Sequence, residues 1–157
     1  MTIYRFISAA MAMAFLVGAP LSAGTAEEAA AQSITRGNGK ANWIKTEGIT
    51  RDGRTFTVPE VRIDGPGWLV LHPFEGGKPV GEIYVGAQYL ASGTHENVEI
   101  AVTTAPEPEK GTMFILMLHS DVDDDGTFDF VFVDPPHVAD KAVLEGSTMI
   151  AHAIAAP

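Results

Sequence analysis

Val98-Glu99-Ile100-Ala101-Val102-Thr103 and, one loop later, Met113-Phe114-Ile115-Leu116-Met117-Leu118-His119 decide the fold class. The first alternates with a period of two. Val98, Ile100 and Val102 take one face of a strand, and Glu99 and Thr103 take the other. The second is an unbroken apolar run too short for a membrane-spanning helix, and it fits a central strand buried on both faces. Outward from this pair the chain keeps the same punctuation, with short apolar or alternating runs set off by Gly, Pro, Asp and Asn.

Strands are therefore expected at Thr55–Ile63, Trp68–His72, Glu82–Ala87, Val98–Thr103, Met113–His119, Phe128–Val133 and Ser147–Ile154. In Thr55–Ile63, Pro59 marks a bulge or an edge. In Glu82–Ala87, Ile83, Val85 and Ala87 share a face. In Phe128–Val133, Phe128, Phe130 and Phe132 do. Thr104–Gly111, with Pro106 and Pro108, reads as a surface loop. No long segment holds a 3.6-residue period and there is no internal repeat. The expected fold is an all-β, antiparallel two-sheet sandwich of about seven strands, immunoglobulin- or cupredoxin-like.

The first residues carry a different message. Arg5 is the one charge before Glu27, an apolar run follows from about Phe6 to Val17, and small residues follow that. This is the form of a secretory signal peptide, here read as residues 1–23. Residues 24–41 read as a flexible tether, with a helical turn at Glu27–Gln32, and residues 42–157 as the sandwich domain. The expected location is periplasmic or secreted, with no membrane span after cleavage. Loss of Arg5 takes the formal charge from −10 to −11. A surface this acidic repels phosphate backbones and attracts cations, which argues against nucleic acid as a partner. With no cysteine, the chain has neither a disulfide framework nor a thiolate nucleophile or metal ligand, and a blue-copper electron-transfer site is excluded.

The strongest chemical motif is Asp121-Val122-Asp123-Asp124-Asp125-Gly126-Thr127-Phe128-Asp129. Five of the 20 acidic residues fall within these nine positions. Asp121, Asp123, Asp125 and Asp129 stand at loop positions one, three, five and nine. Gly126 at six permits the sharp reversal that brings the Thr127 carbonyl into the same shell. Such oxygens suit a hard cation, Ca²⁺ first, in a structural role. Position twelve is Phe132 and not the glutamate of an EF-hand, so the pattern matches a calcium-binding hairpin with Val122 and Phe130 pinned to the core. The bland alternative is an acidic turn whose side chains cap backbone amides.

A second donor set comprises His72, His95, Met117 and His119. Imidazole and thioether suit copper, Cu(I) above all, and Met117 and His119 share a strand face. Against this, strand-end histidines commonly bond a neighbouring loop, and methionines fill cores. No catalytic arrangement is present. Ser92, Ser120 and Ser147 lie outside any nucleophile-elbow pattern, and Lys141 and Arg62 read as surface charges.

Gly-Pro-Gly-Trp68-Leu-Val-Leu-His72, Gly93-Thr-His95-Glu-Asn-Val98, Met117-Leu-His119-Ser-Asp121 and Gly126-Thr-Phe-Asp129-Phe130, in that order, resemble a family of exported bacterial and archaeal domains of unknown function. The resemblance spans residues 55–134. It implies a compact β-sandwich, often behind a signal peptide, in which the positions of His72, His95 and His119 recur together. It implies no reaction. The expectation is a non-enzymatic, monomeric binding module with a calcium-type loop, its partner an extracytoplasmic protein or small ligand. The alternative is a periplasmic copper-binding protein.

Overall fold

A computed structural model describes residues 34–129 and 140–157. The signal-like segment, the Glu27–Gln32 turn, Phe130, Phe132 and His137 lie outside them. Among the described residues every regular element is a strand, and no helix is long and apolar enough to cross a membrane. In chain order the strands are β1 (Thr35–Gly37), β2 (Trp43–Lys45), β3 (Thr50–Asp52), β4 (Thr55–Ile63), β5 (Gly67–Glu75), β6 (Lys78–Pro79), β7 (Gly86–Leu90), β8 (Gly93–Ala101), β9 (Met113–Ser120), β10 (Lys141–Ala142), β11 (Leu144–Glu145) and β12 (Thr148–Ala155).

The larger sheet runs β1-β12-β9-β5-β6, with β7 on β5, β10 on β9 and β11 on β12. In the smaller sheet β4 pairs with β8 along its length, and with β2 and β3 over separate stretches. Pairing is antiparallel throughout except between β1 and β12. The two sheets pack together as an all-β sandwich. Ile44, Phe56, Val58, Val61, Ile63, Val98 and Ile100 of the smaller sheet meet Leu69, Leu71, Phe114, Leu116, Leu118 and Ile150 of the larger in one apolar core. The Phe56 and Phe114 rings cross edge to face at 5.6 Å within it.

β9 is buried on both faces, as its unbroken apolar run requires. Phe114, Leu116 and Leu118 enter the main core. Ile115 and Met117 point the other way and form a second cluster with Ala151, Phe74, Ala142 and Met149. The outer face of the larger sheet is therefore covered, which places His119, next in that row, in a dry environment. On β8, Val98 and Ile100 are buried while Glu99 is exposed, and the alternation continues past the strand's end with Val102 buried and Thr103 exposed.

Three of the expected segment assignments need correction. The strand expected at Glu82–Ala87 begins only at Gly86, and Ile83 is 46% exposed. The segment before it is a crossing: the Val85 amide bonds the Leu71 carbonyl, and the Val85 carbonyl accepts from Thr103. Alternation over Ile83, Val85 and Ala87 alone did not specify a ladder. Thr35–Gly37, inside the stretch read as a tether, is strand β1 on the edge of the larger sheet. Phe128 and Asp129 lie outside any strand, and the rest of the strand expected at Phe128–Val133 falls beyond the described residues.

Pro59 marks neither a simple bulge nor a free edge. The β4/β8 register continues unbroken from Val58↔Val98 to Glu60↔Glu96, yet the inward row changes from Phe56 and Val58 to Val61 and Ile63. Across from Pro59, Asn97 adopts φ of +52°. On the other edge β3 pairs as far as Thr57 and β2 starts at Glu60, so a residue without an N–H stands where the partner strands break.

Candidate functional site

The acidic loop begins where β9 ends. The Asp121 amide donates to the Pro66 carbonyl at 3.1 Å. The Asp121 carboxylate is buried and accepts from the amides of Asp125 at 3.3 Å and Gly126 at 3.0 Å. The chain thus wraps around this side chain, and the wrap needs left-handed backbone at Asp124 (φ +57°) and Gly126 (φ +67°). Asp125 caps the Thr127 amide at 2.7 Å. Val122, expected to pin the loop, is 42% exposed, because the wrap turns it outward. Phe128 takes that part, as described below.

A residue distant in sequence completes the cluster. β10 pairs Lys141 with Ser120, and one further step of that register sets Asp140 beside Asp121. The Asp140 amide donates to Asp129 Oδ1, and the Asp129 amide donates to Asp140 Oδ2, each at 3.2 Å. One oxygen each from Asp121, Asp123 and Asp140 lies within 4.8 Å of the other two. Oxygens on opposite sides of a Ca²⁺ ion are about 5 Å apart, so this spacing suits a shared ion. Asp140 is 2% exposed, and its Oδ1 has no hydrogen-bond partner.

The charges are held at a cost. Burial first, then the charges of Asp129 and Asp121, push the Asp140 carboxyl up to about 6, with the Asp129 and Val122 amides opposing. Lost hydration, followed by Asp125, Asp129 and Asp121, raises Asp123 as well. Among the described residues no lysine or arginine pairs with any of these carboxylates.

Of the sequence-derived oxygen donors, the structure therefore brings Asp121 and Asp123 together. It uses Asp125 as a cap for the Thr127 amide and couples Asp129 to Asp140. Asp140 was missed because it arrives through strand pairing and not through loop spacing.

A second constellation lies on the outer face of the larger sheet. Here β5 presents Trp68, Val70 and His72, and β9 presents Ile115, Met117 and His119, with Trp68 opposite His119 and Val70 opposite Met117. His72 Nδ1 stands 2.7 Å from the Ile83 carbonyl. A carbonyl only accepts, so Nδ1 carries the proton and Nε2 of the neutral ring does not. That Nε2 accepts from Nε2–H of His119 at 3.3 Å. Both rings are buried, at 1% and 0% exposure. Burial lowers the His72 pKa, against the pull of the Ile83 carbonyl; burial and then the neighbouring His72 push His119 down to about 3. Both are neutral at pH 7.

Phe128 joins the two constellations. Its ring packs 5.4 Å from His119, 5.5 Å from Trp68 and 4.8 Å from Tyr84, and Tyr89 meets Trp68 at 5.2 Å. The acidic loop is thereby clamped onto the sheet beside His119. His95 stands apart. It belongs to β8 of the smaller sheet, bonds the Ala91 carbonyl at 2.7 Å, and lines an open groove with Gln88, Tyr89 and Glu96.

A family model described as "Domain of unknown function (DUF7282)" matches residues 42–154. The chain belongs to that family. No curated protein and no solved structure matches it. For a DUF7282 domain, chemistry must be argued from side chains such as these, since the fold assigns none.

Proposed function

We propose that this DUF7282 domain is an exported, non-enzymatic binding module whose acidic loop is closed by a structural Ca²⁺ ion. The observation that carries the reading is Asp140: a carboxylate 2% exposed, one oxygen without a hydrogen bond, within 4.8 Å of oxygens on Asp121 and Asp123. A buried, unbonded charged oxygen is costly, and a hard cation is the partner that three convergent carboxylates most naturally take. Asp121, Asp123 and Asp140 would be the side-chain donors. Asp129, bonded to Asp140 through the reciprocal amide contacts, would steady the shell.

In this reading the ion stabilises the loop and, through Phe128, the outer face of the sheet. The surface so fixed serves an extracytoplasmic protein or small ligand. The opening residues support export, since they have the form of a secretory signal. Thermal unfolding in millimolar Ca²⁺ against EDTA tests the calcium reading. An ion at 100 times its dissociation constant adds about 2.7 kcal/mol, which for a domain of this size raises the midpoint by many degrees. Identical midpoints in the two buffers would refute it.

A further inference from the structure

We propose that His72 and His119 form a transition-metal site that takes Cu(I) between their Nε2 atoms, with the Met117 thioether as third donor. The site is separate from the acidic loop and does not depend on the calcium reading.

The geometry of the pair carries the inference. Its two Nε2 atoms are 3.3 Å apart. Metal–nitrogen bonds of about 2.0–2.1 Å set two nitrogens of a tetrahedral or trigonal shell roughly 3.3–3.6 Å apart. An ion therefore fits between the rings with little movement of either. His72 is also oriented as metal-bound imidazoles are, its Nδ1–H given to the Ile83 carbonyl at 2.7 Å so that Nε2 is the coordinating nitrogen. Phe128 packs edge-on to His119, with ring planes at 85°.

The donor set chooses the ion. Met117 lies two residues before His119 on the same face of β9, and its cross-strand partner Val70 lies between Trp68, opposite His119, and His72. It is 7% exposed, on a side chain with three rotatable bonds that adapts to an ion beside it. Neutral imidazoles with a thioether, in a site from which water is excluded, favour a soft monovalent ion over Ca²⁺ or Mg²⁺. For the ion to enter, the proton that His119 Nε2 shares with His72 Nε2 must leave that nitrogen, by moving to Nδ1 of the same ring. The chain has no cysteine to compete for the metal.

Anaerobic titration of the purified protein with Cu(I), against a colorimetric Cu(I) chelator, tests the site, with X-ray absorption of the resulting complex. One equivalent is expected to be withheld from the chelator, and the absorption to fit two imidazole nitrogens and one sulfur. Met117→Leu, close in volume, should lose the sulfur contribution and weaken binding by roughly tenfold or more, about 1.4 kcal/mol per decade. His95→Ala should bind as the parent does, and His119→Gln should not bind. If His119→Gln fails to fold in metal-free buffer, the absorption spectrum of the parent protein decides. No retained equivalent, a spectrum without imidazole, or copper retained by folded His119→Gln would each overturn the proposal. So would uptake of Zn(II) but not Cu(I) through the same two histidines.

Discussion

Asp129 and Asp140 hold each other through a reciprocal pair of hydrogen bonds, each backbone amide donating to the other's carboxylate at 3.2 Å. The clasp joins the end of the acidic loop to the start of β10, and it forces Asp140 into the crowd around Asp121. Two acidic side chains are thus fixed in place by amides and not by cations. The local fold gains order while the repulsion remains.

Replacing Asp140 with Asn removes one of those charges and keeps the shape. In EDTA the variant is expected to melt at or above the temperature of the parent, because a buried carboxylate pushed up to about 6 is relieved. In millimolar Ca²⁺ the order reverses, since the variant loses a ligand and most of the ion's stabilising effect. Differential scanning calorimetry in the two buffers checks both arms. A variant that gains as much from Ca²⁺ as the parent does would count against Asp140 as a ligand.

The raised Asp140 carboxyl also fixes the sign of a pH effect. Its folded pKa of about 6 lies above its unfolded value, so between about 4 and 6 the folded state binds more protons than the unfolded one. In metal-free buffer this group's contribution to stability therefore falls as pH rises through that window, then stays level. Urea denaturation of the parent minus that of Asp140→Asn, from pH 4 to 7, isolates the contribution. With Ca²⁺ present the decline should vanish.

The buried histidines act in the opposite sense. His119 has a folded pKa lowered to about 3, against about 6.5 when unfolded, and His72 is lowered as well. The unfolded state binds the extra protons, so stability is lost as pH falls below about 6.5. His119→Gln, where it folds, should show a shallower loss on acidification than the parent in the same urea series. An unchanged slope would mean that the ring is not held neutral.

The period-two run at Val98–Thr103 and the apolar run at Met113–His119 made the sandwich legible, because burial on one face or two writes itself directly into hydrophobic pattern. Two of the three carboxylates of the candidate site were legible for the same local reason, as Asp121 and Asp123 lie in one turn with Gly126. Asp140 was not, since it is carried beside Asp121 by the register of β10 on β9, and pairing partners leave no mark in linear spacing. The His72–His119 pair was half visible. Each histidine could be placed near a strand end, but only the register of β5 on β9, and the lean of the two rings along the sheet, shows that these two meet while His95 does not.

Gly67 tests how tightly β5 and β9 are packed against each other. A Cβ there would overlap the His119 carbonyl and crowd Ile63 Cδ1, at the point where β5 starts against the end of β9. Gly67→Ala must push those strands apart and is expected to cost about 1–3 kcal/mol, the usual range for overpacking. The same displacement would shift His119 and the start of the acidic loop. Chemical denaturation gives the stability loss, and a neutral result would show that β9 yields there.

Phe128→Ala addresses the link between the two constellations. The ring is partly buried against Trp68, Tyr84 and His119, so truncation should cost about 2 kcal/mol, below the 3–5 kcal/mol typical of a fully enclosed phenylalanine. A second consequence separates anchoring from simple packing. If Phe128 clamps the loop, its loss leaves the three carboxylates intact but less well arranged, and ordering them must then come out of the binding energy of the ion. The Ca²⁺-induced rise in melting temperature should therefore shrink in Phe128→Ala with every proposed ligand still present. In Ile115→Val, a core truncation of similar sign in the neighbouring apolar cluster, the rise should keep its size. Equal calcium shifts in the two variants would mean that the loop holds its shape without the ring.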